Sequence, residues 1–143
     1  PPEGESLAWL QSRGHAAADA REALDAARGH PGLADAWLRD DVLALRKSVA
    51  ADLAKVARDD ASPAAIAQAW VADDKAMLRL QFAADFAQRQ AAKLDAGRLT
   101  DPGRTRRLAA WFDAANRTAA LLRTTVRADL AVAELLLGWK GTR

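Results

Sequence analysis

Apolar residues recur along this chain at three- and four-residue steps, and the strict alternation of a half-buried strand is missing. In "ESLAWLQSR" Ser6 can cap a helix on which Leu7 and Leu10 share a face. Trp9 falls on the far side of that helix, and Gly14 ends it. "AAADAREALDAAR" predicts a second helix with a thin apolar face of Ala20, Leu24 and Ala27. Gly29 sits where a left-handed terminal residue belongs, and Pro31 forbids continuation. A short third helix, "GLADAWLRD", turns Leu33 and Trp37 inward, with Leu38 beside them.

Beyond Asp40 and Asp41 the elements lengthen. Asp41 is a candidate cap for "VLALRKSVAADLAKVAR", whose stripe is Val42, Leu45, Val49, Leu53 and Val56. Ser62 and Pro63 form a cap and first-turn pair for "AAIAQAW", with Ile66 and Trp70 buried. "DKAMLRLQFAADFAQRQAAKL" aligns Leu78, Phe82 and Phe86 and spreads Leu80, Ala84, Ala87, Ala91 and Leu94 into a wide arc. After the loop "DAGRLTDPGR", with a helix start at Asp101 and Pro102, a long helix is predicted to run to Val126. It carries Leu108, Trp111, Phe112, Ala115, Ala119 and Leu122. "DLAVAELLLGWK" is apolar almost all round and is expected to be the most buried element, with Asp129 at its start. The prediction is all-α: a three-helix subdomain over residues 1–40 and a five-helix bundle over residues 41–143.

Composition sharpens this picture. The apolar half of the 143 residues is dominated by alanine and leucine, the strongest helix formers, and tyrosine is absent. Without cysteine there is no disulfide, thiolate nucleophile or thiolate metal site. The longest apolar run is about half a membrane span, so the expectation is a cytoplasmic protein with no membrane partner. A start at "PPEGES" without methionine suggests a fragment of a larger parent. A formal charge of +2 argues against a chain devoted to gripping a phosphate backbone.

No constellation for catalysis stands out, and neither a cofactor nor a metal is expected. The pairs Asp40-Asp41, Asp59-Asp60 and Asp73-Asp74 each precede a helix, where carboxylates favour the positive end of the dipole. His15 and His30 lie in turns, with nothing in the spacing to complete a metal site. Arg104, Arg106 and Arg107, with Arg98 nearby, form the best basic cluster. They read either as a nucleic-acid contact or as a solvated helix start. Trp37, Trp70 and Trp111 fall on apolar stripes. Trp9 and Trp139 keep two readings: Trp139 as an interface residue and Trp9 against a neighbouring helix or an absent part of the larger parent, or each as a surface indole without a partner.

The order of these segments resembles the C-terminal part of bacterial DNA polymerase III delta prime subunits, which are clamp loader proteins. "PPEGESLAWLQSR" is similar to that family's entry into its small helical lid, an "AxxWL" pattern in which Trp9 and Leu10 match and Ser6 stands for the alanine. "ALDAARGHPGLADAW" resembles "LxxLxxGSPGxAL", with Ala23 and Ala26 for the leucines and His30 for the serine. "AAWFDAANRTAALLRTTVRADLAVAELLLGW" resembles the last two collar helices, which end in "NxxLxxExLLL". Leu130 matches there, Arg127 stands at the asparagine, and Ala133 takes the glutamate position one residue before Glu134.

In active relatives the segment "GSLRDAL" supplies an arginine, sensor 2, that reaches ATP. Gly29, His30 and Pro31 match its glycine, serine and leucine, and Gly32 falls at the arginine. A glycine offers a phosphate neither charge nor a fork of donors. The resemblance therefore implies a non-hydrolysing subunit: a lid over residues 1–40 and a collar over residues 41–143. The collar would assemble with delta and gamma/tau subunits so that the complex loads the sliding clamp onto primed DNA. DNA synthesis would belong to the polymerase holoenzyme. A stand-alone nucleic-acid-binding module using the four arginines is the alternative.

Overall fold

The computed structural model describes residues 2–97 and 101–143, and every regular element among them is an α-helix. These are α1 (Glu3–Ser12), α2 (Ala17–Ala26), α3 (Pro31–Arg39), α4 (Val42–Ala57), α5 (Pro63–Val71), α6 (Ala76–Ala96), α7 (Pro102–Leu121) and α8 (Ala128–Lys140). None of the described helices is long and apolar enough to cross a membrane.

The starts of α5 and α7 follow the sequence signals. Ser62 Oγ accepts from the Ala65 amide at 3.3 Å, and Asp101 Oδ1 accepts from the Arg104 amide at 3.0 Å, each ahead of a proline in the first turn. The expected cap at Ser6 gives way to a start at Glu3, with Pro2 as the flanking residue. Ser6 becomes an internal, buried position. The Asp129 carboxylate at α8 instead pairs with Arg127, at 3.1 Å.

Three helices end in the same way. At α1, α2 and α4 the amide two residues past the cap bonds back to the third-last helical carbonyl: His15 to Leu10, Gly29 to Leu24, and Asp60 to Lys55. The left-handed residue of this motif is Gly14 in the first case (φ 94°), but Arg28 (φ 53°) and Asp59 (φ 62°) in the others. Gly29, expected in that role, follows one residue later with φ 83°.

The long stripe predicted to reach Val126 stops at Leu121. Thr124 and Thr125 lie just beyond; Thr124 Oγ1 bonds the Leu121 carbonyl and Thr125 Oγ1 receives the Arg127 amide. Threonine hydroxyls competing for the backbone beside a β-branched run end a helix that apolar spacing would extend.

The contacts divide the chain into two units, Pro1–Lys47 and Ser48–Arg143. The division falls inside α4 rather than near residue 40, because Leu43 packs on the first core and Lys47 reaches Glu22 at 3.3 Å. The first core is Leu10, Ala20, Ala23, Leu24, Ala27 and Ala34, lined by Leu7, Trp37 and Leu38. Alanine there lets α1, α2 and α3 approach closely. Leu33, expected inward, is exposed; the inward face of α3 carries Ala34 and Asp35 instead. In the second unit α6 packs on α7, α8 packs on α5 and α7, and Val49, Leu53 and Val56 of α4 are buried.

Candidate functional site

Three indoles of the second unit are buried with their N–H groups satisfied. Trp70 donates to Asp52 Oδ2 at 2.9 Å, Trp111 to the Leu135 carbonyl at 2.8 Å, and Trp139 to the Leu53 carbonyl at 2.9 Å. The Trp139 ring stands 4.7 Å from that of Trp111 and meets Phe86 edge-on at 5.9 Å. Its interface reading is therefore corrected. At 5% exposure Trp139 has no face to offer a partner, because α4, α6 and α7 converge on it. Those three contacts are far apart in sequence.

What Trp139 does not supply, the opposite side of its helix does. Val132, Leu135, Leu136 and Trp139 fill one face of α8 at helical spacing. The expectation that α8 is buried all round fails because its neighbours α5 and α7, with α4 at Trp139, take up only that face. Leu130 and Leu137, two turns apart on the other side, are 55% and 61% exposed. Leu121 and Val126, in the α7–α8 connection, are 52% and 97% exposed. Leu130 and Leu137 share their stripe of α8 with exposed Glu134, which stands between them at helical spacing, and the Arg127–Asp129 pair lies at the start of the helix.

The basic cluster is less convergent than its sequence suggests. Arg107 Nη2 donates to the Arg143 carbonyl at 2.8 Å, and its other terminal nitrogen lies over Gly103, where a Cβ would come within 3.1 Å. Arg104 is half-buried, and its Nε has no hydrogen-bond partner. Arg106 is exposed, and Arg98 lies outside the described residues. Close by, Asp59 receives Lys140 and Arg143, which tie the end of α4 to the end of α8. The Lys140 hydrogen bond and charge, with Arg143, hold its carboxyl below the ordinary range against the opposing effect of burial.

The turn before α3 belongs to the first unit. Gly32 sits exposed in the first turn of α3 with open space around its α-carbon, and no arginine occupies its place. The charged centre of this unit is Asp35, which sequence reasoning missed. Its carboxylate is 4% exposed. Oδ1 lies 2.7 Å from His15 Nε2, and Oδ2 lies 3.0 Å from Arg13 Nε and 3.3 Å from Arg39 Nε. An ionised carboxylate only accepts, so His15 carries its proton on Nε2. Only the four-residue step from Asp35 to Arg39 was visible in the sequence. The other two partners come through the turn at Gly14.

The His15 hydrogen bond, then the contact and charge of Arg13 and the charge of Arg39, hold the Asp35 carboxyl below its usual value near 3.8, against the opposing effect of burial. A carboxyl lowered on folding stabilises the fold above its unfolded pKa, and that contribution is lost as pH falls through the folded pKa. Thermal melts followed by first-unit amide signals are therefore expected to weaken below about pH 4. In Asp35→Asn the unit should be less stable at neutral pH and lose this part of its acid dependence.

A cleft of about 290 Å³ is lined by Glu3, Ser6, Arg21, Leu24, Asp25, Arg28 and Gly29. No group of three or more histidine or acidic side chains suited to a metal occurs among the described residues. Comparison with family models, curated proteins and solved structures finds no match.

Proposed function

We propose that this chain is the lid and collar of a non-catalytic clamp loader subunit of the delta prime kind. Its three-helix first unit would be the lid. Its second unit would be the collar, assembling with delta and gamma/tau subunits and supporting ATP-dependent loading of the sliding clamp at primed DNA. The observation that carries this reading is the outer face of α8. Leu130 and Leu137 are exposed, with Glu134 between them, on a helix whose other side is locked into a core by Trp139, so two large apolar side chains are presented on a stiff element. Such a face suits association with another helical surface, and a rigid interface loses little entropy on binding. Gly32 at the sensor-2 position agrees with a subunit that does not hydrolyse ATP.

Gel filtration of this chain with cognate delta and gamma/tau subunits tests the proposal. Co-elution with them is the expected result. Strong, steeply salt-dependent binding of duplex DNA by the chain alone, abolished by replacing Arg104, Arg106 and Arg107, would favour the nucleic-acid module instead.

A further inference from the structure

Trp9, Arg13 and Arg39 of the first unit have no part in the assembly face. Trp9 is 41% exposed, a large surface for an indole, and the Arg13 guanidinium stands 5.4 Å from its ring centre. Arg13 and Arg39 both reach the buried Asp35 through Nε and onto the same oxygen, which places the two Nε atoms no more than about 6.3 Å apart. Their side chains remain 46% and 60% exposed. An Asp35 side chain at 5% exposure thus holds two arginines that both stay substantially exposed. The Arg13 guanidinium lies over the Trp9 ring.

We infer that Trp9, Arg13 and Arg39 form a contact for one nucleotide step of single-stranded nucleic acid. The base stacks on the Trp9–Arg13 pair, and the phosphate takes the guanidinium N–H groups of Arg13 and Arg39. A fork of N–H donors matches a phosphate bidentately. Aromatic rings and guanidinium planes are the surfaces on which unpaired bases stack, whereas a duplex keeps its bases from them. A protein carboxylate would satisfy the forks and leave the indole uncovered. Residues 1–47 carry six Lys and Arg against eight Asp and Glu, so the unit as a whole does not attract a polyanion. The contact is consequently local, weak and shallow in its salt dependence. Asp35 is a positioning residue here. The inference rests on the geometry of the first unit and stands independently of the clamp loader reading.

The test is a titration of the ¹⁵N-labelled chain with a short oligothymidylate, followed by nuclear magnetic resonance at the indole N–H signals of its five tryptophans. The Trp9 signal is expected to move and saturate at high micromolar to millimolar oligonucleotide, while Trp70, Trp111 and Trp139 stay still. Neutralising one phosphate should weaken binding only about threefold between 50 and 200 mM salt. Read at the backbone amides of residues 9, 13 and 39, because these variants lack the indole N–H, Trp9→Ala should weaken binding about tenfold and Trp9→Phe much less, since a phenyl ring still stacks. The double variant Arg13→Gln, Arg39→Gln should abolish the shift. Should that pair unfold the unit, the exposed Trp9→Ala change still decides the matter. A Trp9 signal unmoved at millimolar oligonucleotide would overturn the inference. So would shifts confined to the amides of residues 104–107, or equal affinity for duplex of the same length.

Discussion

Replacing Trp139 with alanine is expected to unfold the second unit at temperatures where the native chain is intact. The side chain is 5% exposed, packs at a tilt against Trp111, meets Phe86 edge-on and donates to the Leu53 carbonyl, so α4, α6, α7 and α8 all lose a contact at once. Truncating a buried tryptophan costs about 3–5 kcal/mol, a large part of the total stability of a small domain. Trp139→Phe separates the terms. It keeps most of the ring contact and loses the N–H, so it should cost about 1–2 kcal/mol. Denaturant unfolding read by far-ultraviolet circular dichroism measures both. If Trp139→Ala cost no more than an exposed substitution, the indole would not be the keystone of this core.

The second large effect is expected at Leu10. It is fully buried in a core otherwise made mostly of alanine, and Leu24 is the only other leucine in that buried cluster. Leu10→Ala should cost about 2–5 kcal/mol. A unit this small buries too little surface to absorb such a loss. Amide signals of residues up to about 47 should collapse toward unfolded positions while those of α5 to α8 persist. A single transition, with both units lost together, would show that the two do not fold separately.

Helix type and number were legible in the sequence because each helix carries its own evidence. Alanine and leucine set the propensity, apolar residues recur at helical steps, and the Ser62-Pro63 and Asp101-Pro102 pairs mark starts with local chemistry. What escaped depended on residues distant in the chain. Nothing near Trp139 announces that Leu53, 86 positions earlier, receives its N–H. Nothing around Leu33 reveals that Asp35 draws the other side of α3 inward through Arg13 and His15. The end of α7 was misjudged for a local reason: apolar spacing continues through Val126, but threonine hydroxyls take the backbone first. The outer face of α8 was hidden by its own composition. In a run as apolar as "LAVAELLLGW" only the packed neighbours decide which leucines are covered.

The assembly claim is tested most directly by the light-scattering mass of the chain mixed with cognate delta and gamma/tau subunits, beside the double variant Leu130→Asp, Leu137→Asp. Both leucines are exposed, so the variant should keep its circular dichroism spectrum and unfolding midpoint. The account predicts a heavier species containing the native chain and none containing the variant. Native and variant chains giving the same masses, whether both join the complex or both stay apart, would contradict it.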